Sequence, residues 1–218
     1  METQNEKQAS GTLPVNSLIA CVTVDIVSKM FPNTPVHNIQ AHLPLVLNAL
    51  LQAELADRQM ILMALATIRA EVESFDPISE YESRFNTSPG GHPFDLYDNR
   101  ADLGNEGPPD GATFRGRGFV QLTGRKNYQL HGQAIGLGNQ LIEQPEMASD
   151  PVVAARLIAS FLKINAVRIR AALAAKDLAQ ARQCVNGGSH GLSEFVAAFT
   201  IGFDLIPENI DIGPSALA

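Results

Sequence analysis

Cysteine is scarce in this sequence, and long apolar runs are missing altogether. Cys21 and Cys184 are the only cysteines among 218 residues. Two cysteines exclude a disulfide framework and a cysteine-based metal cluster, and predict two reduced, mostly buried thiols. No run approaches the roughly 18 consecutive apolar residues that a membrane helix needs, so we expect no membrane span. The five histidines are scattered without ligand spacing, so we predict neither a metal ion nor a cofactor.

Basic residues are outnumbered by acidic ones. The chain has 16 lysines and arginines against 23 acidic residues, a formal net charge of −7 and a pI near 5.2. This balance argues against a nucleic-acid partner, because phosphate backbones are bound by an excess of Lys and Arg. With 45% hydrophobic and 18% charged residues, the chain is ordinary globular material, long enough to bury one substantial core.

The first residues are polar and lack periodicity. We therefore predict a disordered lead over residues 1–13 and a single domain over residues 14–218. The start has no basic stretch followed by an apolar one, so we identify no secretory signal and expect the protein to be made in the cytoplasm. If its substrate lies outside the cytoplasm, another component must carry the protein there.

Apolar residues recur at helical spacing over most of the chain. Asp150 and Pro151 suit the N-cap and the first position of one long helix, while Pro44 favours a break within an earlier one. The glycines after Asn186 tolerate the left-handed backbone that ends a helix. Helices are predicted over Val15–Phe31, His37–Leu55, Asp57–Glu73, Gly124–Ile135, a long segment from Pro151, Asp177–Val185 and Leu192–Phe203.

Between these helices lies a segment rich in Pro, Gly, Asn, Asp, Ser and Tyr, from Asp76 to Asp110. A long loop-rich segment inside a compact domain is usually functional, so we expect the substrate cleft here. The segment Phe114–Thr123 has the pattern of a β segment turned by glycine. The sequence therefore predicts a mainly α fold with a small β-hairpin and loop lobe lining the cleft.

Two glutamates flank the predicted end of the apolar helix that starts near Asp57. Glu71 lies in its last turn, and Glu80 follows nine positions later, beyond Pro77. Burial favours the protonated form of a carboxyl at the inner end of such a helix, whereas a carboxyl on a wetter loop stays ionised. Glycosidic cleavage requires one protonated carboxyl as general acid and one ionised carboxylate as general base. From spacing alone, two solvated helix-end charges remain the better interpretation.

The segment Arg115–Tyr128, RGRGFVQLTGRKNY, adds a far more specific pattern. It closely resembles the characteristic segment of family 19 glycoside hydrolases, a lysozyme-like group that includes chitinases and phage-type endolysins. The resemblance extends to Tyr97–Asn105, to Asp110-Gly111 and to Asn186-Gly187-Gly188, and covers roughly Met60 to Phe203. It implies a lysozyme-like α+β fold and a glycosidase activity.

The resemblance implies a general acid at the end of the buried helix. The matching stretch is Ala70–Phe75, which assigns the acid position to Glu71 and leaves Glu73 as the competing assignment. The histidine and the two glycines of the common family pattern are absent here, which puts the shape of the adjoining subsite in doubt.

The resemblance also implies a general base nine residues after the acid, as in endolysin-like members. This position is Glu80, and Glu82 is the near alternative. Thr123 matches a family Ser or Thr whose hydroxyl holds the attacking water against the base. A helix N-cap is an ordinary role for the same threonine, and the two roles can coexist.

Further residues match or border family positions that contact the sugar. Amide side chains suit this work because they donate and accept hydrogen bonds without charge, although a turn or cap role is open for each of them. Tyrosines can stack on sugar rings or pack against the loop, and arginines can line the cleft or pair with its carboxylates. The residues are Gln121, Asn127, Asn186, Tyr81, Tyr97, Arg117 and Arg125.

Together these features predict inverting hydrolysis of a β-1,4-linked amino-sugar polymer. We expect peptidoglycan as the substrate, with a muramidase or endolysin-like, antibacterial activity, and chitin as the alternative. A catalytically inactive module that binds wall glycan is the alternative of another class. Action on the cell wall would then need release or contact-dependent secretion, which leaves a delivery system or an immunity protein open as a partner. We expect a monomer.

Overall fold

The computed structural model describes residues 15–186 and 191–208, so the predicted disordered lead lies outside the described residues. Eleven α-helices are present in this part of the chain, joined by short 3-10 turns at Ala101–Leu103 and Pro145–Ser149. The helices are α1 (Val15–Cys21), α2 (Val24–Met30), α3 (Val36–Gln52), α4 (Arg58–Glu71), α5 (Asp95–Asp98), α6 (Asp110–Thr113), α7 (Arg125–Ala134), α8 (Gln140–Glu143), α9 (Pro151–Ala174), α10 (Leu178–Asn186) and α11 (Leu192–Leu205). The mainly α prediction is confirmed.

The first predicted helix is divided in two. α1 ends at Cys21 and α2 begins at Val24, because the hydroxyl of Thr23 accepts a hydrogen bond from the backbone N–H of Ile26 (3.3 Å) and caps the second helix. A threonine that satisfies a helix-start donor competes with continuing the helix. The predicted break at Pro44 is wrong, since α3 continues through that residue.

Helix α4 forms the centre of the core. Asp57 caps its start by accepting from the N–H of Met60 (3.2 Å), and every residue from Met60 to Ile68 is fully buried. The helix ends at Glu71, earlier than predicted, because Val72 is extended and Phe75 adopts a left-handed backbone (φ 53°) with its ring buried against Phe31. This early end leaves Glu71 as the last helical residue.

The predicted start of the long helix is confirmed. Asp150 accepts from the N–H groups of Val152 (3.0 Å) and Val153 (3.1 Å), and Pro151 occupies the first position of α9. Helix α11 then packs along α4, and its start is close enough that a Cβ on Gly191 would lie 2.7 Å from the carbonyl oxygen of Ala70. The end of α4 is therefore held from the side by the C-terminal helices.

The loop lobe, residues 72–124, carries the helices α5 and α6 but not the expected β-hairpin. Within the described residues, pairing is limited to two isolated antiparallel bridges, of Arg117 with Ser79 and with Leu122. The chain reverses between Arg117 and Leu122, where Gly118 (φ 76°) and Gln121 (φ 49°) have left-handed backbone. The pairing does not continue outward from this reversal into a ladder, so no strand forms there. The predicted hairpin is therefore not confirmed.

Across residues 15–186 and 191–208, none of the helices combines the length and apolar character needed to cross a membrane.

Candidate active site

A cleft of about 710 Å³ opens between the loop lobe and the helical core. The predicted cleft segment contributes Glu80, Phe85 and Tyr97 to its lining, while the helices contribute Glu71 from α4 and Phe161 from α9. The two glutamates that the sequence placed nine residues apart therefore face the same space. The break in α4 makes this arrangement possible, because on one continuous helix they would point to opposite sides.

Glu71 is held by an arginine from a distant part of the chain. The Oε1 atom of Glu71 lies 2.6 Å from Nη2 of Arg182 on α10, whose side chain is fully buried, while the Glu71 side chain is 13% exposed. The competing residue Glu73 is 55% exposed and pairs with Arg69 (3.3 Å) and Asn33 (3.1 Å) outside the cleft lining. Its placement favours Glu71 as the acid.

Glu80 accepts three side-chain or backbone hydrogen bonds. Its Oε1 atom accepts from the hydroxyl of Tyr97 (2.9 Å) and from Nδ2 of Asn86 (2.9 Å), and its Oε2 atom accepts from the N–H of Gly116 (3.1 Å). Burial, followed by the neighbouring carboxylate of Glu80, raises the pKa of Tyr97 to about 12. The tyrosine therefore stays protonated and keeps donating, and the carboxylate is fixed in one orientation.

Thr123 and Gln121 border the same small space as Glu80. A Cβ on Gly116 would lie 3.1 Å from Oε2 of Glu80, 3.3 Å from Oγ1 of Thr123 and 2.8 Å from Oε1 of Gln121. The Thr123 hydroxyl donates its hydrogen to the carbonyl oxygen of Gln121 (2.9 Å), so its lone pairs can accept from a neighbouring molecule. Three side-chain oxygens thus converge beside the Cα of Gly116, and only a residue without a side chain lets Glu80, Thr123 and Gln121 approach one another this closely.

Replacing Gly116 with alanine is therefore expected to lower kcat about a hundredfold, the usual cost of displacing a reacting group by about an ångström. The added methyl would push against Glu80 and Gln121 while leaving the rest of the cleft unchanged. The rate of reducing-end release measures the effect. Gly136→Ala controls for lost stability alone: a Cβ there meets no atom within 4 Å, but the left-handed backbone (φ 76°) strains an alanine, and the residue lies outside the cleft lining. Equal activity of the Gly116 variant and wild type would contradict this role of Gly116.

The predicted amide residues are engaged in the fold as well as in the cleft. Gln121 and Asn127 both line the cleft. The amide nitrogen of Gln121 donates to the carbonyl oxygens of Ile78 (3.2 Å) and Gly118 (3.1 Å), and that of Asn127 donates to Thr123 (2.8 Å). Asn186 ends α10, and its side chain lies outside the described residues.

Of the tyrosines and arginines predicted to contact the sugar or to line the cleft, Tyr97 lines the cleft, whereas Tyr81, Arg117 and Arg125 do not. Tyr97 lines the cleft, but its hydroxyl donates a hydrogen bond to Glu80. Tyr81 is 77% exposed and lies outside the cleft lining formed by the described residues. Arg117 is buried within the loop lobe, where it donates to the hydroxyl of Tyr128 (2.7 Å), and Arg125 pairs with Asp110 (2.5 Å). This pairing lowers the pKa of Asp110. Both arginines have the contacts of structural residues.

Sequence reasoning missed three residues of this site. Arg182 could have been noticed as a charged residue beside the apolar positions Ala181 and Val185 of α10, but its partner could not. Asn86 and Phe85 lie in a segment without periodicity, so nothing local distinguished them. Within the described residues, no group of His, Cys, Asp and Glu has an arrangement that would hold a metal ion.

No family model matches the chain. Short segments match curated plant proteins: Chitinase 11 of Oryza sativa subsp. japonica is 49% identical over 53 residues, which is 24% of this chain and 20% of that protein. The Acidic 26 kDa endochitinase of Solanum lycopersicum is 44% identical over 41 residues, 18% of this chain and 16% of that protein. The matches thus span about a fifth of the length of these curated relatives.

Solved structures match over far more of the chain. Chitinase C from Streptomyces griseus HUT6037 is similar with a TM-score of 0.54 and 16% identity, over 88% of this chain and 79% of that one. A chitinase C mutant with glutamine in place of a glutamate gives a TM-score of 0.57 and 18% identity over the same shares. At these identities the likeness shows the fold, which this chain shares with both structures.

Proposed function

We propose that this chain is a glycosidase that hydrolyses a β-1,4-linked polymer of N-acetylglucosamine. The short sequence matches and the fold both support its resemblance to family 19 glycoside hydrolases. One observation carries the proposal: Glu71 and Glu80 line a single cleft in different surroundings. One carboxyl is paired with a buried arginine, and the other is oriented by three donors, close to the hydroxyl of Thr123.

The proposed reaction begins with a proton on Glu71. Because Arg182 donates to Oε1, the proton belongs on Oε2, from which it passes to the glycosidic oxygen as the bond from that oxygen to the anomeric carbon breaks. A water held by Glu80 and Thr123 gives its proton to Glu80, and its oxygen attacks the anomeric carbon from the opposite face. A β-linkage then yields an α-hemiacetal, which is inversion. Exchange with solvent returns both carboxyls to their starting states.

Chitin is the preferred substrate over peptidoglycan, the opposite of the order expected from the motif alone. The curated relatives and the solved structures that match are named chitinases, and we extend chitin as a substrate to the present chain on that ground. Within the cleft, uncharged amide side chains suit N-acetyl and hydroxyl groups, which both polymers carry. Peptidoglycan differs by its lactyl-peptide branches, so the choice depends on whether the cleft admits them.

The test compares release of reducing ends from colloidal chitin and from purified peptidoglycan by the full chain. We expect release from chitin, with the α-anomer as the first product detected by NMR before mutarotation. Release from peptidoglycan alone would reverse the substrate order. A β-anomer as first product would exclude inversion. No release from either polymer, together with retained binding to chitin, would indicate an inactive glycan-binding module instead.

A further inference from the structure

An exposed aromatic ring lies at the rim of the cleft. Phe85 lines the cleft, yet its side chain is 74% exposed, and the guanidinium carbon of Arg84 lies 4.9 Å from its ring centroid. An exposed phenylalanine in a concave site is a ready contact for an apolar ligand face. Because the guanidinium covers one face of the ring, the opposite face is the one available to a ligand.

The segment that presents this ring, residues 81–87, is held by one buried amide, and we name it the Phe85 loop. The side chain of Asn86 is fully buried. Its Nδ2 donates to the Oε1 atom of Glu80 and to the carbonyl oxygen of Tyr81, both at 2.9 Å. Its Oδ1 accepts from the N–H of Ser83 (2.8 Å) and the hydroxyl of Thr87 (2.9 Å). All hydrogen-bonding capacity of this amide is therefore used, and one side chain joins Glu80 to the loop.

We propose that the Phe85 loop is a carbohydrate-binding element in which the open face of Phe85 stacks on a pyranose ring. In this proposal Asn86 is the positioning residue that fixes the phenyl ring of Phe85 relative to Glu80. The inference rests on the proposed function and deepens it. A pyranose presents C–H groups on one face, which match an exposed aromatic surface of this size. Since Asn86 bonds the carboxylate directly, a sugar seated on Phe85 and the water beside Glu80 have a defined separation.

The stacking part is tested with Phe85→Ala and Phe85→Tyr, by the KM for a hexamer of N-acetylglucosamine. We expect the alanine variant to raise KM about tenfold with little change in kcat, and the tyrosine variant to restore the KM. The matched control is Phe203→Ala: Phe203 is 50% exposed, lies under the guanidinium of Arg58 (4.1 Å) and belongs to a different surface pocket. An unchanged KM for Phe85→Ala, or an equal rise for both alanine variants, would overturn the inference.

The positioning part is tested with Asn86→Asp, which keeps the acceptor oxygen but loses both donors and sets a second carboxylate beside Glu80. We expect kcat to fall at least tenfold and the acidic limb of the pH–rate profile to move to higher pH, because a nearby negative charge favours the protonated base. Circular dichroism and thermal melting verify that the variant folds. A folded variant with the wild-type pH profile would show that Asn86 only supports the loop and would overturn its assigned role.

Binding measured apart from turnover separates this inference from the proposed function. Calorimetry with the hexamer uses Glu71→Gln alone and Glu71→Gln combined with Phe85→Ala, so that no substrate is consumed. Weaker binding of the double variant supports the stacking surface even if the wild type cleaves no polymer, in which case only the proposed function fails. Equal binding of the two, with a wild type that cleaves chitin, overturns the stacking surface alone.

Discussion

Glu71→Gln is expected to lower kcat on chitin about a thousandfold in a variant that still folds. The size follows from loss of general acid catalysis, which contributes about 10²- to 10⁴-fold. The variant still folds because the glutamine side-chain oxygen can accept from Nη2 of Arg182, which lies 2.6 Å from Oε1 of Glu71, but the buried guanidinium loses the counter-charge of Glu71 and the melting temperature falls. The measurement is single-temperature kinetics on a soluble N-acetylglucosamine oligomer, with the melting temperature recorded for each variant.

Two comparisons make this expectation specific for an acid. A nitrophenol leaving group departs without being protonated. The fall in kcat of Glu71→Gln should therefore be much smaller on a nitrophenyl substrate than on the natural linkage. The matched control is Glu73→Gln, two residues on and 55% exposed, which is expected to keep wild-type activity. Full activity of Glu71→Gln, or a large loss confined to Glu73→Gln, would contradict the assignment of the acid.

Where local sequence dictates local structure, the fold was predictable. Asp150 and Pro151 start α9 by capping and by a fixed backbone angle, and both effects act within three residues. The cap at Thr23 is a local effect of the same kind. It divides the first predicted helix in two, although the prediction did not include it. The missing hairpin could not be foreseen in the same way, because Arg117 also pairs with Ser79 across the lobe and no local pattern indicates that contact.

The candidate site was predictable only as far as the motif extends. Glu71, Glu80 and Thr123 were found through a resemblance, and they line one cleft in the structure. Arg182 lies 111 positions from Glu71, and no pattern of spacing reveals such a pair before the helices pack. Tyr97 was predicted as a sugar contact because of its residue type, whereas burial and the Glu80 carboxylate make it a hydrogen-bond donor inside the site.

Glu80→Gln is expected to lower kcat about a thousandfold or more and also to destabilise the protein. Both oxygens of Glu80 accept from donors, namely Tyr97 and Asn86 on Oε1 and the N–H of Gly116 on Oε2. A glutamine must turn its NH₂ group toward one of these donors, and an unsatisfied buried pair of this kind costs about 1–3 kcal/mol. Denaturant unfolding should detect this loss, while kinetics should show a fall in kcat of about a thousandfold or more.

Glu80→Ala then separates a base from a purely structural residue. Azide is already an anion, so it can attack the anomeric carbon without losing a proton, and the alanine variant leaves room for it beside Thr123. With Glu71 still donating to the leaving oxygen, we expect azide to restore cleavage and to give the α-glycosyl azide from a β-linked substrate. Glu71→Gln, which lacks the acid instead, should gain nothing from azide. If azide restores neither variant although Glu80→Ala remains folded, Glu80 acts by holding the loop rather than by activating water.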